Sequence, residues 1–236
     1  MRILSIDSSL GTQLAVVDAA PSAAGVRALQ VLSQDEQADT RRHAESLGQM
    51  LSQALSAPEA AERPLDAVVA ATGPAPFTGL RAGLVTAGVV GRTRGVPVHG
   101  VSSLDAVARR ALDELGSHEG QAGPVVLVAT DARRREVYTA LFRANGPDDV
   151  TRLTEIIVCP PAQVAQRLAE QAPGPGGGSG GIDVVAGSGA SLYPELAEMA
   201  SYQKALAPVS GDALTQVRIA LARLERGEEL STQPLY

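Results

Sequence analysis

The stretch Arg2-Ile3-Leu4-Ser5-Ile6-Asp7-Ser8-Ser9-Leu10-Gly11-Thr12 reads as a strand that ends on a carboxylate and turns at a glycine. Gly11 supplies the positive φ that such a turn needs. Residues 12–17 return as a second strand, and residues 28–33 add a third. The pattern restarts at Val126-Leu127-Val128-Ala129-Thr130-Asp131, again an apolar strand closing on Asp. Arg133–Arg135 then turn the chain, and residues 136–142 return. This weak internal repeat implies two lobes of related architecture.

Between the two hairpins the chain alternates helix and strand. From His43 the apolar residues Leu47, Met50, Leu51, Ala54 and Leu55 fall at i, i+3, i+4, i+7 and i+8 spacing, one face of a helix. Residues 65–71 form a short apolar run of buried-strand type. A second helix is expected from an N-cap at Thr78 to a stop at Gly95, with Pro97 beyond it. A strand over 96–101 and a helix capped by Ser102 or Ser103 follow. The second lobe continues with a strand over 152–158, ending on Cys159, and a helix over 162–171. A Gly/Pro connection at 173–181, a strand at 182–186, a turn at 187–190, a helix at 194–200 and a last helix at 212–225 complete it. The expected fold class is α/β, with two related lobes, each a mixed sheet with flanking helices. The expected division is residues 1–103, residues 104–207, and a C-terminal helix and tail over 208–236 that return to the first lobe.

Composition narrows the chemistry. The 236 residues carry 44% hydrophobic and 19% charged residues, a globular balance with only 3% aromatic. No Trp is present, so a base-stacking platform is not expected. A net charge of −6 argues against broad nucleic-acid binding by this chain alone. Lys204 is the only lysine among the 20 basic residues and lies in no phosphate-binding loop. The single Cys159 fits a reducing compartment, and no apolar run approaches the ~20 residues of a membrane span. A cytoplasmic location is expected. His43, His99 and His118 are scattered, with no H-x-x-x-H spacing, so no metal site is named. Gly177-Gly178-Ser179-Gly180-Gly181 satisfies G-x-S-x-G but lacks the strand before and helix after that the nucleophile elbow requires.

Two constellations remain. In two-lobed nucleotide-binding folds the first hairpin approaches the phosphates. Asp7, Ser8, Ser9 and Thr12, with Asp131, Gly187 and Gly189 of the second lobe, are therefore candidates for a vestigial nucleotide site. The second helix is the more informative. Positions 79, 83, 87, 91 and 95 are Gly, Gly, Ala, Gly and Gly, and Gly88 adds another. Gly83, Gly88 and Gly91 together cost about 2.5–3 kcal/mol of helix propensity. A smooth face of this kind offsets the cost by letting another backbone approach, either this chain's sheet or first helix or a helix of another protein.

The segments Ile3–Ser9, Arg42–Leu47, Gly73–Leu84, Gly95–Val98, Val101–Leu104, Asp131–Tyr138 and Gly187–Ala190 resemble, in order, the bacterial TsaB (YeaZ) family. The departures are Ala75-Pro76 where the family usually has Gly-Ser, Arg135 where it often has Gly, and the ending Pro234-Leu235-Tyr236. The resemblance implies a two-lobed actin-like ATPase (ASKHA/ribonuclease H-like) fold and a scaffold without its own catalytic centre, not a peptidase. It would support the catalytic paralogue TsaD in transferring threonylcarbamoyl to the adenosine next to the anticodon of tRNAs reading codons that begin with A. It implies the TsaE ATPase in a larger complex, a homodimer when alone, tRNA only through the complex, and no cofactor of its own. It also implies that the first two helices form the pairing surface: His43, Leu47, Met50 and Leu51 on one, Phe77, Gly79, Leu80, Gly83 and Ala87 on the other. The alternative is an actin-like enzyme that binds and hydrolyses ATP through Asp7, Ser9 and Thr12.

Overall fold

The computed structural model describes residues 1–20, 27–38, 43–116, 123–171, 181–201, 205–206 and 212–235. They form two compact units, Met1–Ser103 with Asp212–Tyr236, and Leu104–Gly211.

The first unit is built on β1 (Arg2–Asp7), β2 (Thr12–Ala19) and β3 (Leu29–Gln37), an antiparallel meander. After α1 (His43–Ser56) and the short α2 (Pro58–Ala61) comes β4 (Ala67–Ala71), parallel to β1. Helix α3 (Phe77–Arg94) leads to β5 (Val98–Val101), parallel to β4. The sheet order is β3-β2-β1-β4-β5. All six residues of β1 are buried because helices cover both of its faces. Successive side chains of a strand alternate between faces. Leu4 and Ile6 join Leu47, Met50 and Ala54 of α1 and Ala87 and Val90 of α3 in one core. Asp7 meets the helix Ala213–Glu225 near the C-terminus, which packs on β1, β2, β4 and β5. Asp212 caps that helix, its carboxylate accepting from the backbone N–H of Leu214 and Thr215.

The second unit opens with α4 (Ser103–Leu115). It contains β6 (Val126–Arg133), β7 (Glu136–Asn145), β8 (Asp149–Arg152), β9 (Ile157–Cys159), β10 (Val184–Ala186) and β11 (Ala205–Leu206). Its sheet runs β11-β10-β6-β7-β8, with β9 also on β7. Read from β8, this is the order of the first unit's sheet: an antiparallel meander of three, then two strands parallel to the first. The repeat seen between residues 2–7 and 126–131 is thus a repeat of topology. Leu104, Val107, Ala108 and Ala111 pack on one side of the sheet, against Val126, Val128 and Phe142. The other side, Leu127, Ala129 and Val137, packs on Val164 and Leu168 of α5 (Val164–Gln171). Ala190 of α6 (Ser188–Leu192) and Leu196 of α7 (Pro194–Ala197) complete that layer.

Some expected elements differ. The strand expected over 152–158 is two strands, β8 and β9. Between them the Thr154 hydroxyl accepts from the Leu141 N–H at 3.0 Å, taking the place of a strand carbonyl and bending the chain out of register. The turn expected at 187–190 is the start of α6, entered through Gly187 at φ 107°. Helix α3 begins at Phe77 behind Pro76, without a side-chain cap, so Thr78 is its second residue and not its N-cap. Cys159 ends β9 and is buried. The Gly/Pro run at 173–180, with Ser179, lies outside the described residues, as do His118 and Lys204.

Candidate functional site

Helix α3 carries most of the candidate residues, and its rotation decides what each of them meets. Leu80 and Ala87 are fully buried, and Gly79, Gly83 and Gly91 are buried with them. The Ser8 hydroxyl, at the end of β1, donates to the Gly79 carbonyl at 2.8 Å. A Cβ on Gly83 would lie 2.2 Å from Ser8 Oγ and 3.5 Å from Ile6 Cγ2. A Cβ on Gly91 would lie 2.3 Å from Val98 Cγ2. The small-residue face is therefore pressed onto the chain's own sheet. This corrects the expectation that Gly79, Leu80, Gly83 and Ala87 face a partner: the chain's own β1 and β5 occupy that face. Leu47 and Met50 of α1 are likewise buried in the core of the same unit, and Leu51 is half-buried against it. The side chain of His43 lies outside the described residues.

Burying that face turns another outward. Phe77, Val85 and Val89 are 54%, 65% and 55% exposed. At 3.6 residues per turn they span about a third of the circumference, together with Arg81, Gly88 and Arg92. The Arg81 guanidinium sits 4.3 Å from the centre of the Phe77 ring, a cation–π contact that holds the ring on the surface. A Cβ on Gly88 would meet no described atom within 4 Å outside its own helical turn, and the same holds for Gly48 on the neighbouring α1. Among the described residues no packing contact offsets the propensity cost of either glycine. Of the residues proposed for pairing, Phe77 alone stands on this exposed face. Val85 and Val89 were missed, because buried and exposed valines of a helix look alike until its rotation is known, and Gly88, counted with the small-residue run, stands on the outer face instead.

The second constellation splits between the units. In the first, Asp7, Ser8 and Thr12 are buried at the β1–β2 hairpin, with Ser9 half-buried beside them. One Asp7 oxygen accepts from the Ser9 N–H and the other from Gln216 Nε2, both at 2.8 Å. Burial pushes the Asp7 carboxyl above its usual range; the Ser9 bonds oppose this, and the nearby Asp212 charge adds to it. Gln216 Oε1 is buried without a partner. A protonated Asp7 would supply one to a flipped amide. In the second unit the Asp131 N–H donates to Ser188 Oγ at 3.0 Å. Gly187 and Gly189 pass so close to β6 that added Cβ atoms would lie 2.3 and 2.9 Å from the Ala129 carbonyl. Among the described residues no group of three or more His, Cys, Asp or Glu is placed to hold a metal, and no helix is long and apolar enough to cross a membrane.

Two predictions follow from these contacts. Gly83→Ala forces Ser8 away and lowers stability by about 1–3 kcal/mol, whereas Gly88→Ala raises it by about 0.5–1 kcal/mol; denaturant titration of each variant checks the opposite signs. A carboxyl whose pKa is raised on folding favours the native state below its unfolded value, near 3.8 for Asp7, and loses that contribution as pH rises through the folded value. Asp7→Asn, which resembles the protonated form and can donate to Gln216 Oε1, should flatten the fall in melting temperature with rising pH above about pH 4. An unchanged slope would show that Asp7 does not titrate on unfolding.

Comparison with known proteins places this architecture. A family model described as TsaD, tRNA N6-adenosine threonylcarbamoyltransferase, matches residues 30–175. Uncharacterized proteins of Mycobacterium tuberculosis and Mycobacterium bovis are each 41% identical over 146 residues, 58% of this chain. The match spans 64% of the length of those relatives. YeaZ from Pseudomonas aeruginosa superposes with a TM-score of 0.72 at 23% identity, over 100% of this chain and 99% of YeaZ. Another solved structure, a protein described as similar to peptidase YeaZ from Pseudomonas aeruginosa, gives a TM-score of 0.73 at 24% identity, over 100% and 98%. With more than half of its 236 residues inside the matched region, the chain belongs to the family of the TsaD threonylcarbamoyltransferase model and carries the YeaZ (TsaB) fold along its whole length.

Proposed function

We propose that this chain is a non-catalytic scaffold subunit of a tRNA-modifying complex. It binds and supports a TsaD-class catalytic subunit that transfers threonylcarbamoyl to the adenosine next to the anticodon of tRNAs reading codons that begin with A. The observation that carries this reading is the outer face of α3. Phe77, Val85 and Val89 project from a helix whose other side is already committed to the core. Full burial of a Val or Phe side chain contributes roughly 1.5–3 kcal/mol, so three half-exposed ones leave several kcal/mol for a partner to recover. Gly88 and Gly48 let that partner's backbone come close.

The family match supports the choice of partner and reaction class. The three histidines do not form the H-x-x-x-H spacing that holds the catalytic metal in TsaD, which supports an accessory role and gives the peptidase reading nothing to work with. Asp7 has both oxygens engaged within its own unit, which supports a chain that needs no nucleotide of its own. In this reading the TsaE ATPase joins a larger cytoplasmic assembly, tRNA is met through the complex, and the same α3 face closes a homodimer when the catalytic subunit is absent.

The test is the mass in solution, by light scattering after size exclusion, of the chain mixed with the TsaD-class subunit of the same organism. Wild type should form a one-to-one complex at the expense of any homodimer. Val85→Asp with Val89→Asp should keep the monomer's melting temperature within a degree or two, because both sites are exposed, and weaken the complex at least ~100-fold by placing charges in an apolar contact. Undiminished assembly of the double variant would put the contact elsewhere.

A further inference from the structure

The turn between β6 and β7 carries a feature that the fold does not require. The register pairs Asp131 with Val137 and Arg133 with Glu136, leaving Arg134 and Arg135 as a two-residue hairpin loop. Arg133, Arg134 and Arg135 have φ of 67°, 53° and 63°, three left-handed residues in succession. A two-residue loop with both φ positive favours Asn-Gly, because a Cβ is unfavourable there. Here both positions hold Arg, one of the bulkiest side chains, and all three arginines are exposed.

The base of the turn is fixed. Asp131 Oδ1 accepts from the Arg133 N–H at 2.9 Å, and Asp131 Oδ2 lies 3.2 Å from Arg133 Nη1. The Asp131 N–H is tied in turn to Ser188 of α6. Asp131 thus engages Arg133, and Glu136 stands half-buried at the foot of the loop. Arg134 and Arg135 at the tip have no ion-pair partner among the described residues. Two exposed arginines stand on a strained loop braced at its base by Asp131, in a chain whose net charge is −6. The guanidinium fork matches the paired oxygens of a phosphate, and its charge survives at any physiological pH.

We propose that Arg134 and Arg135 form a phosphate-backbone contact to tRNA. The choice of RNA rests on the reading of this chain as part of a tRNA-modifying complex; the placement of the two arginines does not. The contact is electrostatic and carries no base sequence. It gives an otherwise acidic subunit one local point of engagement with the substrate, and it accounts for arginines kept where Asn-Gly would fold with less strain.

The experiment uses the assembled complex of this chain with the TsaD-class subunit and an unmodified tRNA transcript, with affinity measured across a salt series. Arg134→Asn with Arg135→Gly gives the loop its preferred residues, so folding is retained while both charges are removed. Its tRNA affinity should fall about ten-fold or more at low salt, and the log–log salt slope should become shallower by about 1–2. Arg134→Lys with Arg135→Lys should keep the slope of wild type. An Asn-Gly variant that assembles normally and binds tRNA with unchanged affinity and slope overturns the proposal and leaves the scaffold reading standing. An Asn-Gly variant that fails to assemble, while binding of tRNA by the catalytic subunit is unaffected, makes the tip a contact to an acidic protein surface and also overturns it. If wild type itself forms no complex, the scaffold reading falls and this contact falls with it.

Discussion

The close approach of helix α3 to strand β1 sets the arrangement of the first unit. Gly83 lies where any side chain would strike Ser8, and Ser8 reaches past it to the Gly79 carbonyl. One turn or two further on, Ala87 and Gly91 continue the same contact toward Val98. Each helical glycine gives up about 1 kcal/mol of propensity against alanine. The return is dense contact along the helix, many small dispersion terms acting together. With α3 fixed at this distance, α1 packs beside it and Leu47, Met50 and Ala54 find their places in the core. The same contact fixes the rotation of α3 about its axis. Phe77, Val85 and Val89 are exposed because the glycines are not.

The period-four run of small residues announced a close approach, but what approaches was not legible in it. A smooth face looks the same whether it meets the chain's own sheet or another protein. Val90 points into the core while Val85 and Val89 point out, so apolar periodicity gave no rotation for this helix either. Helix α1 was different: its apolar residues fall on a single stripe, and that stripe is the core. The opening strand was legible because an apolar run closes on Asp and glycine, and its echo at residues 126–131 led to the shared sheet order. The division of residues 149–159 into two strands was not legible, since it depends on one Thr154 hydroxyl bonding across to Leu141.

The two hairpins share a topology and differ in chemistry, and the residues after each Asp account for the difference. Ser8 and Ser9 are small and draw the first hairpin into its unit, where Asp7 is enclosed and held by Gln216, 209 residues away in sequence. No local pattern reveals a partner at that separation. Asp131 is followed instead by Ala132 and three arginines, which keep the second hairpin's tip in solvent. Its carboxylate braces the turn through Arg133. One architectural position therefore serves as a buried tie in one unit and as a surface anchor in the other.

The central claim is that the inner face of α3 holds the fold and the outer face holds the partner. Cys159 is buried and is the only cysteine, so a thiol introduced on α3 reports on its own position. The most direct measurement is the labelling rate of Val85→Cys by a thiol reagent, with and without the TsaD-class subunit. The account predicts rapid labelling in the free chain, slowed at least ~10-fold when the complex forms, the ordinary effect of burying a reactive group in an interface. Labelling at the same rate in a complex shown to have formed would contradict it.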